Sequence, residues 1–423
     1  FFGAGYEYQG SFFKTDDLNY KKYNIRSTIT SNITNNLKAE VLMNFIMDEQ
    51  NRSDVDSWWI IRAFWKVGPF FPAYANNDPT KINYNDRNDG DNPVAYMNAD
   101  IVGTRKYARK WIQPAGSLRY DFPFAKGLYL KEMVSYDWHI WDFSRYGREY
   151  QHYLYDEASQ TYRGFSTHGP SQAERGMITR NQLLTQTTLG YDKRIKNHNV
   201  NGLLVWETQK RSADNFNARR NLILPIPYLF AGVALEQQGG MNTGDIYEMT
   251  NLGLAGAFHY DYSGKYLLDY IFRYDGSSKF APGSQWGFFP AVAAAWRISE
   301  EDFFKNAFPK IEQLKLRASY GTVGDDGASS YQFVSGYNYP TSGSDRRWFT
   351  AGYVFNGSFL ASADNKGIPN PNVTWFTAKT LDLGFDFVGW NGLFGLTADY
   401  FARKREGLLA RRYGGIPTVV GAG

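Results

Sequence analysis

Hydrophobic and polar positions alternate with period two along most of the chain, the pattern of strands whose two faces meet different surroundings. Between 265 and 275 the even positions are Tyr266, Leu268, Tyr270, Phe272 and Tyr274, and the odd ones include Lys265, Asp269, Arg273 and Asp275. Leu314, Leu316, Ala318 and Tyr320 alternate with Lys315, Arg317 and Ser319. Leu381, Leu383, Phe385 and Phe387 alternate with Asp382, Gly384 and Asp386. Similar segments lie near 20–33, 37–48, 111–122, 128–143, 178–191, 199–210, 252–262, 286–298 and 393–403. The pattern therefore predicts about twelve strands, most of them near the ~9–11 residues that a tilted strand needs to cross a bilayer. Soluble strands have a mode near ~5–6.

The links alternate as well. Short ones stand at 35–36, 123–127, 193–198, 263–264 and 389–392, and long polar ones at about 49–110, 144–177, 211–250, 276–285, 322–377 and after 404. One link on the short side is longer, 299–313, where Ser299 and Asp302 read as a capping box opening a helix from Glu300 to about Asn306. Short turns on one side and long loops on the other are the pattern of an antiparallel transmembrane β-barrel of the outer membrane, its short turns periplasmic and its long loops extracellular. Aromatics near strand ends (Tyr274, Trp286, Trp296, Trp375) fit interfacial girdles. The fold class predicted is all-β.

Composition agrees with strands in two environments: 17% aromatic residues, 41 Gly and a mean hydropathy of −0.49 in 423 residues. No run approaches the ~18 apolar residues of a membrane-crossing helix, and only helices and closed barrels satisfy their backbone in lipid. The absence of Cys excludes disulfides, thiolate zinc sites and a cysteine nucleophile. Net charge is +4, from 46 basic and 42 acidic residues spread without a basic block, so no nucleic-acid partner is expected. The chain opens on Phe1-Phe2-Gly3 and closes on Val419-Val420-Gly421-Ala422-Gly423, which reads as the interior of a longer protein.

The stretch "RYDGSSKFAPGSQWGFFPAVAAAWRISEEDFF", followed by "LKLRASYGTVGDDG", resembles the barrel of SusC/RagA-type TonB-linked outer-membrane transporters of Bacteroidota. The shared strings run over 273–280, 286–291, 296–301 and 314–324; "NPNVTW" (370–375), "LDLGFDF" (381–387) and "DYFARKREGLL" (399–409) continue the likeness. Upstream, "RRNLILPIPYLFAG" (219–232) is the best match. The family usually has an acid where this chain has Phe376, and often a threonine that "RKREGLL" lacks. The resemblance implies a barrel of 22 strands of which residues 1–423 are the central part, with the plug domain, the TonB box and the last strands not in this sequence. It also implies active import of an oligosaccharide or peptide in a Gram-negative outer membrane, energised by TonB with ExbB and ExbD, fed by a SusD-like lipoprotein and needing no enzyme activity. Two other readings stay open: a structural, assembly or secretion-complex barrel, and a soluble all-β glycan-binding protein or hydrolase.

On the barrel reading Lys265, Asp269, Arg273, Lys315, Arg317, Asp382 and Asp386 face the lumen, and lipid covers the apolar face. In the longest loop Arg346, Arg347, Trp348, Phe349 and Tyr353 are candidates to stack on sugars or peptide side chains. They would serve equally as an interface with the lipoprotein or as packing within the loop. The Asp/Asn-rich stretch at 77–93 offers Asp86, Asp89 and Asp91 to calcium, but its spacing is not that of an EF-hand, and a solvated loop is the plainer reading. Asp325-Asp326-Gly327 reads the same way. Glu300, Glu301 and Asp302 suit the first turn of a helix better than acid–base work. No nucleophile, phosphate-loop or dinucleotide motif stands in a suitable context, and the five histidines are scattered, so no catalytic residue and no resident metal or cofactor is expected.

Overall fold

A computed structural model of the protein describes residues 1–85, 90–166, 169–240, 246–338, 352–361, 364–365 and 368–409. Thirteen strands follow one another as antiparallel neighbours in a single sheet. They are β1 (Phe2–Gln9), β2 (Asn19–Asn32), β3 (Leu37–Ser53), β4 (Gly103–Asp121), β5 (Leu128–Gly147), β6 (Gln172–Ile195), β7 (His198–Asn221), β8 (Tyr247–Tyr262), β9 (Tyr266–Ser277), β10 (Trp286–Arg297), β11 (Ile311–Asp325), β12 (Phe376–Gly389) and β13 (Phe394–Glu406). A short fourteenth strand, Gln238–Gly240, pairs with β7. Twelve are the strands that the alternation predicts. β1 is additional: Phe2, Ala4, Tyr6 and Tyr8 share a face, but Gly3 and Gly5 beside them blunt the signal.

The register lines up two unlike faces. Leu268, Ala294, Ala318, Leu383 and Tyr400 stand side by side from β9 to β13. One residue further on, Asp269, Ala293, Ser319 and Asp382 do the same on the opposite face. The apolar face leaves Tyr266, Leu268, Tyr270, Trp286, Val292, Leu316 and Tyr320 exposed, which suits lipid and not water. Rings stack across strands at both of its margins: Tyr266 on Trp296 at one end, Tyr274 on Trp286 at the other. Trp286 and Trp296 bound β10. Ten residues at ~3.3 Å each span about 33 Å, which a tilt of ~40° reduces to about 25 Å, the height of an outer-membrane apolar band.

All the short turns lie at one end of this meander. Ser263 and Gly264 join β8 to β9 with φ of 52° and 68°, the left-handed pair of a tight hairpin. At 298–310 the predicted capping box does not form. Ile298–Glu300 make a 3-10 turn, and helix α4 (Asp302–Ala307) starts after Glu301, whose side chain caps nothing. Ser299 is buried, and its hydroxyl has no hydrogen-bond partner among the described residues. Glu301 is drawn instead to the wall, as described below.

The long links are folded, not merely polar. Helices α1 (Ser57–Lys66), α2 (Pro93–Met97) and α3 (Ala99–Val102) occupy the first, and a hairpin of Gln151–Asp156 with Thr161–Ser166 the second. Their apolar residues meet in a core of Ile82, Ala95, Val102 and Tyr150. A second core, Phe280, Ala328 and Val373 with Trp375 and Phe376 against it, ties together two links further along, 278–285 and the two ends of the link from β11 to β12. Among the described residues both apolar cores therefore sit at the long-loop end, while the wall between has a dry face and a wet face.

Candidate functional site

The polar face carries a ladder of ion pairs. Arg273 grips Asp275 with two bonds, 2.8 and 2.9 Å, and reaches Glu207 at 3.8 Å. Asp269 meets His259 of the next strand. Arg317 lies among three carboxylates: Asp399 at 2.7 Å, Asp386 at 3.3 Å and Asp382 at 3.8 Å. Gly384 makes that reach possible, because a Cβ there would stand 2.7 Å from the guanidinium carbon and 2.3 Å from an Asp399 oxygen. Lys315 stands opposite Asp386 in the register. Of the seven charges singled out from the sequence, Arg317, Asp382 and Asp386 come together. Asp399 joins them unannounced, because only the pairing of β12 with β13 sets it opposite Gly384. Half-exposed pairs of this kind add little stability each; together they keep the face wet and its side chains fixed.

Lys265 is not on the wall. It lies in the turn between β8 and β9 and donates to Glu301 at 3.0 Å. The same carboxylate accepts from the Tyr266 hydroxyl at 2.7 Å and the Trp296 indole at 3.2 Å. These bonds, the tyrosine's first and then the lysine's and tryptophan's, hold the Glu301 carboxyl down at about 2, against an ordinary 4.5. A depressed carboxyl stabilises the fold above its unfolded pKa and loses that contribution as pH falls through its folded one. The Glu301→Gln protein should therefore exchange its α4 amides faster than the parent at pH 7. The difference should close between pH 4.5 and about 2, read as the ratio of the two exchange rates at each pH.

At the long-loop end the polar face continues into an anchored platform. Arg52, Arg105, Arg145 and Glu174 are successive register partners on β3 to β6. Asp54, in the link that leaves β3, accepts from Arg145 at 2.7 and 2.8 Å and from Arg105 at 3.1 and 3.3 Å. Arg52 holds Asp56 at 2.8 Å, and Asp56 in turn accepts from the Trp58 amide to cap α1. Lys66, at the other end of α1, pairs with Asp91 at 2.7 Å, and Asp91 also accepts from Tyr96. Burial, and then that bond, push the Tyr96 phenol far above its ordinary value. Asn92, wholly buried, donates to the carbonyls of Ala73 and Asn83 and caps α2.

Arg346, Arg347, Trp348 and Phe349 lie outside the described residues; Tyr353 is in the short strand Gly352–Phe355. Asp86 and Asp89 also lie outside them, and Asp91 is engaged by Lys66 and Tyr96. Asp325 accepts from the Gly327 amide, and Asp326 from Ser277 and Asn251. Among the described residues no three carboxylate or imidazole groups gather as metal ligands. The helix "SWWIIRAFWK" lies within the stretch 49–110 that the sequence suggests is a polar link; apolar residues on every side of ten positions are its signal.

A wall of this topology, apolar on one face and laddered with charge on the other, invites comparison with membrane barrels. Residues 62–422 match the family model described as TonB dependent receptor-like, beta-barrel. The chain belongs to this family. It is an outer-membrane β-barrel protein, from a family of transporters and receptors rather than enzymes. TonB-dependent receptor P26 of Formosa agariphila is 35% identical over 154 residues, 36% of this chain and 14% of the relative. TonB-dependent receptor SusC of Bacteroides thetaiotaomicron is 31% identical over 159 residues, 36% of this chain and 15% of SusC. In fold, the chain is similar to the structure of the RagAB peptide transporter, with a TM-score of 0.72 and 16% identity. That likeness covers 96% of this chain and 42% of the other, so the chain spans well under two thirds of the length of its relatives.

Proposed function

We propose that the protein imports an oligomeric nutrient, an oligosaccharide or a peptide, across the outer membrane in a TonB-dependent manner, working with a SusD-like surface lipoprotein. The observation that carries this reading is the family match over residues 62–422. The kinship with SusC and the fold shared with a peptide transporter support it. On this reading the ion-paired face lines the lumen, with Asp269, Arg273, Lys315, Arg317, Asp382 and Asp386 on its wall. The folded links at the other end stand at the extracellular mouth. Arg346, Arg347, Trp348, Phe349 and Tyr353, which the sequence assigns to the longest loop, would contact ligand or lipoprotein. Binding and passage need no covalent step. The test is to purify the native protein from outer membranes in mild detergent and identify by mass spectrometry what comes with it. A SusD-like lipoprotein at equal stoichiometry is expected. Barrel-assembly or secretion components in its place would overturn import.

A further inference from the structure

The first long link carries an apolar helix with one face too many. Ile60 and Ala63 of α1 are buried at 3% and 0% exposure and account for its packing. Trp58, Ile61, Arg62 and Trp65 fall at i, i+3, i+4 and i+7, a second stripe on another side. Its two tryptophans are 56% and 72% exposed, and Trp59 and Phe64 beside them are about half exposed. A helix that is apolar on both sides is ordinarily covered on both. These rings are also arranged among themselves: Trp58 and Trp65 meet edge to face at 5.6 Å and 85°, and the Arg62 guanidinium lies 4.4 Å over Trp59.

The stripe is held in place and aimed. Its helix is pinned at both ends, by Arg52 on Asp56 and by Lys66 on Asp91, so the rings are displayed by a packed support. The anchoring arginines belong to the polar face. The register runs unbroken from Arg52 through Arg105, Arg145, Glu174 and Arg219 on β3 to β7. The same face of β7 continues at Glu207, paired to Gly253 and then Asp275. The helix is therefore anchored to the polar side of the wall, and not to the side that faces lipid.

We propose that the Trp58–Trp65 stripe of α1 is a binding site for a neutral oligosaccharide at the extracellular mouth. This rests on the polar face being the lumen wall of an importer. Two indoles set at right angles offer ring-sized facets in different planes. Such facets suit successive pyranose units, whose C–H faces lie flat on an indole, better than one continuous apolar helix. Arg62 flanks the facets with donors for sugar hydroxyls, and no carboxylate stands within the stripe to select a cation.

The test uses the native protein purified from outer membranes. The probe is a printed array of neutral bacterial, algal and plant oligosaccharides, with a tryptic digest of casein as the counter-probe. The parent protein should bind a subset of the array. Trp58→Ala with Trp65→Ala should weaken that binding roughly tenfold or more, since each lost ring contact is worth up to about tenfold. Trp58→Phe with Trp65→Phe should keep most of it, and Phe124→Ala, at the far end of the wall, should keep all of it. Unchanged heat-modifiable mobility on gels shows that each variant is folded. Unaltered binding in the double alanine variant overturns the proposal, as does a parent that binds nothing on the array or binds only the peptides. Import is judged apart from this, by the co-purifying lipoprotein: binding without that partner keeps the site and removes the importer.

Discussion

Phe280→Ala is expected to loosen the second extracellular core by about 3–5 kcal/mol, the usual cost of truncating a fully buried phenylalanine. Phe280 is 1% exposed and packs on Ala328 and Val373, with the Trp375 ring centred 5.6 Å away. Trp375 in turn packs on Phe289 at 5.2 Å and donates its indole N–H to the Gln285 carbonyl at 2.9 Å. Thr374 bonds the Ser284 carbonyl, and Asp326 takes the Ser277 hydroxyl at 2.9 Å. Two links, one of them through segments at both its ends, thus share one small core, and Phe280 is its centre. Hydrogen exchange in the 278–285 and 370–375 segments should accelerate by about 10²–10⁴-fold, the equivalent of that loss. The amides of β9 and β10 should not change, because the wall is held by its own ladder. Equal acceleration along the wall would mean that this core supports the barrel itself. No acceleration would mean that the two links are independently stable.

The same core accounts for what could be read from the residues. The strings around 273–280 and 370–375 meet in it through Phe280, Val373 and Trp375, while 314–324 is a wall strand that leads to Ala328. The wall was legible through alternation, which names a face for every residue between two unlike environments. It fell short at the outer ends. β6 and β7 run for 24 residues each, and their stretches at 172–177 and 212–221 show little alternation. Beyond the membrane both faces of a strand meet water or loops, so pairing continues after the pattern has stopped. Partners were less legible than faces. Alternation placed Arg317 on the polar face, but its bond to Asp399 depends on the register of β12 with β13 and on the missing side chain at Gly384. The capping box at Ser299 failed because Glu301 has three better partners, Lys265 in the turn and Tyr266 and Trp296 on the wall. Helix α1 was hidden by the polar residues around it, which set the average of a long link.

Asp54→Ala is the second large effect expected, about 3 kcal/mol lost from the anchorage of the first extracellular link. Asp54 is 9% exposed and accepts four bonds from two guanidiniums, each about a quarter exposed. Its removal leaves Arg105 and Arg145 facing each other, with Glu174 at 4.0 Å from Arg145 as the remaining carboxylate beside them. The cost arises mainly from two like charges left unpaired in a half-buried place, not from the bonds themselves. Adding Arg105→Gln to Asp54→Ala should therefore restore part of the loss, an interaction that a double-mutant cycle would measure. The readout is brief trypsin cleavage after Arg62 and Lys66, which should rise about a hundredfold in Asp54→Ala and fall back in the double variant. Cleavage at the parent rate would show that the N-cap at Asp56 and the Lys66–Asp91 pair suffice to hold α1. If the anchor matters as argued, the oligosaccharide affinity of the stripe should fall with it, although Trp58 and Trp65 are both still present. A platform that binds rings by stacking depends on where its own rings are kept, and in this chain that position is set by a carboxylate on the polar side of the wall.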